Sequence, residues 1–407
     1  MTATKRSIWM WKSNPNPYSD TEPEQWAQYS KADCDTLEKA YQQKQKQVEF
    51  DSYIIDIENK LQTKKSDQSK QRPIKRIEVD PDVKLVEKPV WMWKSNPNPY
   101  LTTEPEQWTN YSEVECEVLE DAYQQKQKQF ELDDYIVDIE KSTQTKKSDA
   151  SKERPIRRIL VDPTARHLRE ERFSIPQISR SIKSDSDQQH FCFIIAEWLL
   201  KNKKDKDDHP KWVEQAAKGI YQEGLNLGKR VEAAYLARKL REVKDKQQHE
   251  IVKRCIHLYT KETFLYKLIN KALREEDKSK VDTLGAFCYY INLMNYTQGF
   301  GPSFHTSTVY RGMTLTREEI SDYKASIGKY KAWLAFNSTS KIRGEAEIFG
   351  NTLFVINFLA MSRHGSGIDI THLSEYPYEE EVLLQTGTNF RVDEVKEDGL
   401  RYLIHVT

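Results

Sequence analysis

The sequence predicts an α+β protein that consists of two small repeated domains, a helical region and a strand-rich region. A segment near the N-terminus recurs 82 residues later without an insertion, so that Trp9 corresponds to Trp91 (91 − 9 = 82). Apolar residues recur at helical spacing between His190 and Met294. After Gly299–Pro302, short runs of β-branched and aromatic residues replace that spacing and predict strands.

Each copy of the repeat has the pattern of a small sheet with one helix. Two units of this length predict two similar domains, because a solenoid needs shorter and more numerous units. In the first copy, Ser30 or Asp33 can cap a helix that runs through Tyr41, and Thr63–Gln71 predicts a polar loop. The predicted strands are Ile8–Trp11, Trp26–Tyr29, Tyr53–Ile57 and Ile74–Ile77. A mixed sheet wrapped on the helix accommodates these elements.

The repeated pattern resembles the WWE domain, which implies a half-barrel sheet with one helix in each copy. The residues that give the domain its name correspond here to Trp11, Trp26 and Glu38, and to Trp93, Trp108 and Glu120. Some WWE domains bind iso-ADP-ribose, the internal unit of poly(ADP-ribose). The ligand-contact positions of that group fall on Tyr29, Tyr53, Gln62, Arg72, Tyr111, Tyr135, Gln144 and Arg154. Aromatic rings can stack on adenine and Arg can pair with phosphate, although the same residues also fit a module that binds protein partners.

Polar segments predict the domain boundaries. Asp80–Pro89 is short and bounded by prolines, which predicts semi-rigid coupling of the two copies. The second linker is polar, and we expect it to leave the C-terminal domain more freedom. The predicted boundaries are 5–80 and 87–162 for the two copies, 163–187 for the second linker, and 188–407 for a C-terminal domain with a helical part (188–300) and a strand-rich part (301–407).

The helical part shows amphipathic spacing but no metal-binding pattern. Its predicted helical segments are Phe191–Leu200, Trp212–Leu225, Val231–Val243, Ile251–Arg274 and Val281–Met294. His190, His257 and His305 lack the spacing of metal ligands, so we expect no metal. The absence of a GxGxxG sequence excludes Rossmann-type dinucleotide binding.

Composition restricts the possible partners and compartments. Lys+Arg and Asp+Glu both total 63, so we expect neither direct DNA binding nor membrane attachment. No apolar run is long enough to span a bilayer, and the N-terminal residues do not lead into a signal-peptide core. The five cysteines are scattered and predict reduced thiols rather than disulfides. We therefore expect an intracellular protein, cytoplasmic or nuclear.

Two short motifs in the strand-rich part place polar groups beside predicted strands. Arg311 ends a β-type run, and a fixed guanidinium can hold a phosphate pair through two parallel hydrogen bonds. Gly312 follows it and lets backbone or ligand approach closely. Ser338 follows Trp333–Phe336, which predicts a buried strand that would hold the serine hydroxyl on a rigid element.

A third motif supplies paired carboxylates. Glu379 and Glu381 are two residues apart, so that both side chains face the same side if the segment is extended. Val382–Leu384 continues as a predicted strand that anchors them. Tyr376 and Tyr378 precede the pair on a loop that could contact a target protein.

The order and spacing of the three motifs resemble the arginine-specific ADP-ribosyltransferases of the R-S-E class. The resemblance implies helices packed against a split β-sandwich, with NAD as co-substrate and a protein arginine as acceptor. The resemblance to secreted members of this class would imply a signal peptide and disulfides, whereas we expect neither here, and this is a departure from that pattern. The resemblance leaves NAD and NADP as alternative donors.

The resemblance also implies a role for each motif residue. Arg311 would hold the pyrophosphate, and Ser338 would position the nicotinamide ribose. Glu381 would stabilise positive charge on the sugar, and Glu379 would orient and deprotonate the acceptor arginine. The cofactor-binding set implied in this way is Arg311, Gly312, Ser338, Thr339, Ser340 and Phe349, although Phe349 fits a core position equally well. Two alternatives stay open: a catalytically inert ADP-ribose reader, and an NAD glycohydrolase without a protein acceptor.

Overall fold

The computed structural model describes residues 6–12, 17, 26–79, 88–101, 105–161, 179–181, 192–203, 208–296, 308–347, 349–357, 367–399 and 401–407. The predictions for Gly299–Pro302, His190, His305 and most of both linkers lie outside these ranges. The chain divides into two compact units. One comprises Met1–Lys88 with Leu160–Glu170, and the other comprises Pro89–Ile159 with Glu171–Thr407. The second copy of the repeat therefore belongs to the unit of the C-terminal domain, and the expected freedom between them is wrong.

The first copy folds as a sheet around one helix. Its elements are β1 (Arg6–Lys12), β2 (Trp26–Gln28), α1 (Lys31–Gln42), β3 (Gln47–Glu49), β4 (Tyr53–Asp56), β5 (Leu61–Lys64) and β6 (Asp67–Val79), in the sheet order β2-β1-β6-β5-β4-β3. Ser30 caps α1, because its hydroxyl accepts the N–H of Asp33 at 3.1 Å. Every described strand pairing in this copy is antiparallel, so the prediction of a mixed sheet is wrong.

The predicted polar loop Thr63–Gln71 is instead part of a hairpin. Strands β5 and β6 pair antiparallel through it, with Thr63 opposite Gln71, and the chain reverses around Lys65. Backbone hydrogen bonds form this hairpin, while most side chains of the segment Thr63–Gln71 are exposed, so the sequence shows no apolar alternation there. The core lies elsewhere in the copy and consists of Trp9, Cys34, Leu37, Ala40, Ile55, Ile57 and Ile74.

The second copy has the same elements in the same sheet order, with strands β7 to β12 in place of β1 to β6. They are β7 (Lys88–Lys94), β8 (Trp108–Asn110), α2 (Glu113–Gln124), β9 (Gln129–Glu131), β10 (Tyr135–Asp138), β11 (Thr143–Lys146) and β12 (Asp149–Val161). Ser112 and Glu115 form a capping box at the start of α2, which satisfies two backbone donors of the first turn.

The helical part consists of α3 (Phe193–Lys201), α4 (His209–Asn226), α5 (Arg230–Arg241), α6 (Gln248–Thr260), α7 (Phe264–Glu275) and α8 (Val281–Asn292). The prediction of one continuous helical run over Ile251–Arg274 is wrong. Lys261 adopts an extended backbone and ends α6, and Thr263 caps α7 through the N–H of Leu265. The apolar spacing continues across this break because both helices bury apolar faces. Among the described residues, no helix is long and apolar enough to cross a membrane.

The strand-rich part forms one extended sheet, in which the strands lie in the order β13-β15-β20-β21-β17-β14-β16-β19-β18. Its strands are β13 (Ser179–Ser181), β14 (Thr308–Met313), β15 (Tyr330–Trp333), β16 (Asn337–Ser340), β17 (Thr352–Asn357), β18 (Gly367–Asp369), β19 (Glu381–Leu384), β20 (Thr388–Asp398) and β21 (Arg401–Val406). Helices α9 (Arg317–Ala325) and α10 (Arg343–Glu347) connect them.

Strand β20 joins the two halves of this sheet system. Its first residues pair with β15, and after a register shift between Val392 and Glu394 it continues along β21. Side chains of both halves, including Trp333, Phe354 and Phe390, form one core. Strand β13 lies within the predicted linker 163–187 and pairs with β15, so this part of the segment belongs to the sheet.

Candidate functional site

Three neighbouring strands bring the motif residues together. Strand β16 lies between β14 and β19, with Tyr310 opposite Ser340 and Ser340 opposite Glu381. Nη1 of Arg311 donates to the backbone oxygen of Ser338 at 2.6 Å. The Arg311 side chain is buried, so the guanidinium is fixed against the middle strand.

Strand β16 is itself the serine–threonine–serine motif. The sequence predicted a buried strand ahead of Ser338, whereas Ser338 lies inside β16, which is buried along its whole length. Thr339 Oγ1 donates to the backbone oxygen of Val382 at 2.7 Å, and Ser340 Oγ donates to that of Glu379 at 2.7 Å. Thr339 and Ser340 therefore hold the segment that carries the two glutamates.

The glutamate pair does not lie in an extended segment, and that expectation is wrong. Pro377–Glu379 forms a 3-10 turn, Glu380 has φ 43°, and Glu381 begins β19. A left-handed backbone at a non-glycine residue costs roughly 1 kcal/mol. The turn is held by the Lys341 N–H, which donates to the Glu380 oxygen at 3.2 Å, and by the Lys341 ammonium, 3.5 Å from the Glu380 carboxylate.

Lys341 also contributes to the charge balance beside the site. Its ammonium lies 2.8 Å from a carboxylate oxygen of Asp369. Burial would raise the pKa of Asp369, but hydrogen bonds from Lys341 and Thr371 lower it below the ordinary value. Asp369 therefore stays ionised and keeps Lys341 in place beneath the turn.

Ser374 is a site residue to which the sequence assigned no role. Its hydroxyl donates to Oε2 of Glu381 at 3.2 Å and accepts the N–H of Tyr376 at 3.1 Å. Glu381 is buried, with 0% of its surface exposed in this structure, and this hydroxyl fixes the orientation of its carboxylate. Ser374 lies in an irregular loop, where no periodic pattern marks a residue as inward-facing.

Gly312 and Phe349 shape the far end of β14. A Cβ atom on Gly312 would lie 1.9 Å from the backbone oxygen of Ala346, so the glycine permits the end of α10 to approach the strand. Phe349 is buried with 7% of its surface exposed. In this structure Gly312 and Phe349, which the resemblance placed in the cofactor site, are packed against neighbouring parts of the domain.

Tyr376 occupies a different environment from the expected one. Its hydroxyl donates to Oε1 of Glu113 in the second copy at 2.5 Å. The hydroxyl of this tyrosine therefore has a partner within the chain, and its contact with a target protein stays a prediction. The side chain of Tyr378 lies outside the described residues.

The four implied ligand residues of the first copy lie on one face of its sheet. Gln62 is opposite Arg72, and Tyr53 points to the same side two residues along the neighbouring strand. The Tyr29 hydroxyl donates to Oε1 of Gln62 at 2.5 Å, which turns the amide NH₂ group of Gln62 the other way. Nη1 of Arg72 donates to the backbone oxygen of Lys12 at 2.8 Å.

The second copy repeats this arrangement. The Tyr111 hydroxyl donates to Oε1 of Gln144 at 2.7 Å, and Gln144 lies opposite Arg154. Tyr135 again lies on the strand beside Gln144. Nη1 of Arg154 donates to the backbone oxygens of Lys94 and Asn96, at 2.9 and 2.6 Å.

Glu38 and Glu120 have structural contacts. The carboxylate of Glu38 accepts two bonds from Arg76, at 2.7 and 2.8 Å, and one from Nε1 of Trp9 at 3.2 Å. The hydrogen bond from Arg76 is the main reason that the pKa of Glu38 falls to about 2. Glu120 makes the same bonds with Arg158 and Trp91, and its pKa is also lowered.

Within the described ranges no cluster of His, Cys, Asp and Glu has the form of a metal site.

Comparisons with known proteins match three regions of the chain to two families. Residues 7–76 and 89–158 match the WWE domain family, and residues 225–405 match the ADP-ribosyltransferase exoenzyme family. Exoenzyme S from Pseudomonas aeruginosa, solved with human 14-3-3 protein beta and carba-NAD, is 19% identical over 48% of this chain and 87% of its own, with a TM-score of 0.34.

Two further solved structures are similar at the same level. The ADP-ribosyltransferase HopU1 of Pseudomonas syringae pv. Tomato DC3000 is 18% identical over 50% of this chain and 96% of its own, with a TM-score of 0.34. The C3 exoenzyme of Clostridium limosum is 16% identical over 38% of this chain and 83% of its own, with a TM-score of 0.31. No curated protein matches this sequence.

Proposed function

We propose that this chain, which carries two WWE domains followed by an ADP-ribosyltransferase exoenzyme domain, transfers ADP-ribose from NAD to arginine side chains of proteins. We propose further that its WWE domains bind poly(ADP-ribose). The observation that carries the first proposal is the position of Arg311, Ser338 and Glu381 on three adjacent strands, with Glu379 in the turn before the third.

The ADP-ribosyltransferase family uses NAD as its substrate. The proposed reaction breaks the bond between the nicotinamide nitrogen and C1 of the ribose, and nicotinamide leaves with the bonding electrons. A bond then forms between C1 and a guanidine nitrogen of the acceptor, which releases one proton. The sugar carries positive charge in the transition state, as in glycoside hydrolysis, so a fixed carboxylate accelerates the reaction.

Glu381 is the group that we assign to this charge. It is buried at the start of a strand and its carboxylate is oriented by Ser374. A carboxylate fixed in this way needs no reorganisation when the sugar becomes cationic. Arg311 and Ser338 bind the donor in this scheme, and a guanidinium with five N–H donors can hold both a backbone carbonyl and a phosphate oxygen.

Glu379 is the group that we assign to the acceptor. An arginine side chain is always protonated near neutral pH and has no lone pair to attack with. A carboxylate beside it orients the guanidinium and accepts the proton as the new bond forms. Glu379 lies on the turn, and Ser340 holds its backbone, so it can act on an acceptor independently of Glu381.

The proposal for the WWE domains is supported by the shared face of Tyr, Gln and Arg in both copies. A buried Gln, oriented by a tyrosine hydroxyl, can recognise the polar edge of a base. An arginine on the neighbouring strand can pair with a phosphate.

The test is to incubate the full chain with labelled NAD and cell lysate and to map the modified side chains. We expect Glu381→Gln to lower NAD turnover by about 10²–10³-fold, because one preorganised charge-stabilising group is lost. Glu379→Gln should abolish arginine modification and leave most NAD hydrolysis, because water needs no base to become a nucleophile here.

Glu318→Gln is the control, because it changes an exposed glutamate in the first turn of α9, away from the turn at Glu380, to which no chemistry is assigned. It should retain both activities within about threefold. An active Glu381→Gln variant contradicts the catalytic assignment. Hydrolysis without any modified protein in the parent enzyme identifies an NAD glycohydrolase. No turnover at all contradicts the proposed activity, and in that case poly(ADP-ribose) binding by the same protein identifies an ADP-ribose reader.

A further inference from the structure

We propose that helix α2 of the second copy is a positioning element of the transferase. It holds the loop Ser374–Glu380, which leads into Glu381, and thereby sets the rate of transfer to the protein acceptor. The inference rests on the proposed function, because the rate concerned is that of ADP-ribose transfer to arginine. The positioning role itself is argued from the contacts of α2.

Glu113, the first residue of α2, binds the loop and the helical part with one carboxylate. The Tyr376 hydroxyl donates to Oε1 at 2.5 Å, and the N–H of Glu262 donates to Oε2 at 3.2 Å. Glu262 lies in the break between α6 and α7. One side chain of the second copy therefore fixes the loop relative to the break.

Glu117, one turn along α2, continues the contact through Lys261. The Lys261 side chain is 2% exposed, and its ammonium lies 2.5 Å from Glu117 and 2.9 Å from Glu375. Burial alone would lower the pKa of Lys261, but the charges of Glu375, Glu117 and Glu113 outweigh it and raise the pKa. A buried, charged lysine thus joins α2 to the loop.

Helix α6 also contacts the start of this loop. The Glu375 N–H donates to Oγ1 of Thr260 at 3.0 Å, and Nδ1 of His257 lies 3.1 Å from the backbone oxygen of Leu373. Burial, followed by the charge of Lys261, lowers the pKa of His257, so a neutral ring makes this contact. The start of the loop is held between α6 and α2.

The held residues are close to the reacting groups along the chain. Ser374, which orients Glu381, directly precedes Glu375. Only Pro377 and Tyr378 separate Tyr376 from Glu379, and Pro377 restricts the backbone of that short connection. A displacement of about 1 Å at a catalytic group can cost about 10²-fold in rate, so the bond between Glu113 and Tyr376 is well placed to affect Glu379.

The contact extends along α5 beyond the loop. Arg238 lies 3.1 Å from Asp121, and the N–H of Val231 donates to Asp133 at 3.1 Å. The Tyr235 hydroxyl also donates to Glu117. The second copy is therefore docked over a continuous surface, and the loop contact is one edge of it.

The first copy lacks two of the three acidic residues that make this contact. Glu113, Glu117 and Asp121 are spaced by four residues and share one side of α2. The equivalent residues of the first copy, 82 positions earlier, are Lys31, Asp35 and Lys39. Two of the three acidic positions thus carry the opposite charge in a domain with the same fold, which shows that the WWE fold tolerates lysine there.

This difference supplies a charge-swap experiment on the full chain. Glu113→Lys with Asp121→Lys gives the second copy the residues of the first, and brings lysines toward Lys261 and Arg238. Lys31→Glu with Lys39→Glu gives the first copy the residues of the second and serves as the matched control. Each variant is assayed for transfer to protein arginine, for NAD hydrolysis without acceptor, and for hydrogen exchange of residues 374–380.

We expect the swap in the second copy to lower transfer at least about tenfold, to lower hydrolysis by a smaller factor because Glu381 itself stays in β19, and to speed hydrogen exchange in the loop. The control should change none of the three. Glu113→Gln keeps an oxygen acceptor for Tyr376 and should retain more transfer than Glu113→Lys. Asp121→Arg combined with Arg238→Asp restores the pair in reverse and should recover transfer relative to Asp121→Arg alone.

Unchanged transfer and unchanged exchange in the swapped protein overturn the proposal. An equal loss of transfer and hydrolysis in the swapped protein also overturns the proposal, if neither Glu113→Gln nor the reversed pair restores the activities. Such a result indicates that α2 has a general structural role. If the parent modifies no arginine, the proposed function fails. Hydrogen exchange of residues 374–380 then tests the positioning role of α2 by itself. Faster exchange in the swapped protein supports that role, and unchanged exchange rejects it.

Discussion

The two WWE copies have the same fold and the same implied ligand face, but different surfaces on their helices. In both, a glutamate on the helix binds an arginine of the long strand and a tryptophan of the first strand at matching distances. The face of α2 at Glu113, Glu117 and Asp121 binds the transferase domain, whereas the first copy has two lysines at the equivalent positions. A few surface charges can therefore give one member of a duplicated pair an additional role while its core and ligand face stay unchanged.

The largest expected effect concerns the ligand faces, where the copies should behave alike. Two linked sites that engage one polymer raise avidity by about 10²–10⁴ over a single site if both can reach it. We expect Arg72→Ala or Arg154→Ala alone to lower the affinity of the full chain for long poly(ADP-ribose) by about 10²–10⁴-fold, because only one site then remains. The double variant should abolish binding, as measured by calorimetry, and mono-ADP-ribose should compete poorly with iso-ADP-ribose.

Lys75→Ala and Arg157→Ala are matched controls at equivalent positions of the two long strands, and they should change binding little. Retained binding in the double variant would remove these arginines from the ligand site. No binding by the parent chain would leave both copies as protein-interaction modules.

A smaller effect should separate the copies in stability. Lys261→Met removes the cation between Glu117 and Glu375 and leaves two carboxylates without it, which should destabilise the unit that contains the second copy by about 3 kcal/mol. Calorimetric unfolding of the full chain should show the transition of that unit at a lower temperature. The transition of the first copy should not move.

Lys46→Met is the control for a lysine in an exposed ion pair. Lys46 lies 2.9 Å from Glu58 at the surface of the first copy, where solvent screens the interaction. We expect no measurable change in either transition. A shift of both transitions by Lys261→Met would mean that the two units unfold as one.

The smallest expected effect is pH-dependent and common to both copies. Arg76 holds the pKa of Glu38 at about 2, below its ordinary value of 4.5, and the side chain is mostly buried. Because the folded pKa is the lower one, the stabilisation is complete above pH 4.5 and disappears as the pH falls toward 2. With allowance for solvent screening, the pair contributes about 1–2 kcal/mol.

Glu38→Gln should therefore flatten the dependence of melting temperature on pH between 4.5 and 2, with its largest loss of stability near neutral pH. Glu120→Gln should act in the same direction on the unit of the second copy, since Arg158 lowers that pKa too. A destabilisation that is the same at every pH would indicate lost packing instead of a lost ion pair.

Much of the fold follows from local pattern. The repeat predicts two domains, the cap at Ser30 predicts where α1 begins, and apolar spacing predicts α3, α4 and α5 to within a few residues. These features depend on which side of a helix or strand is apolar and on the residues at its ends. Residues close together in the sequence determine both. The motifs likewise predicted the strand that carries Arg311 and the strand that follows the glutamate pair, whereas Ser338 lies inside β16 and not after a strand as predicted.

Features that depend on contacts between distant residues were not predictable in this way. The polar strand at Thr63–Gln71 is stabilised by backbone pairing, the helix break at Lys261 by carboxylates far along the chain, and the left-handed turn at Glu380 by Lys341. The attachment of the second copy to the transferase domain is of the same kind. Sequence pattern reports whether a residue is buried, but the partner of a buried charge is fixed only when separate surfaces with complementary shape and charge meet in the folded chain.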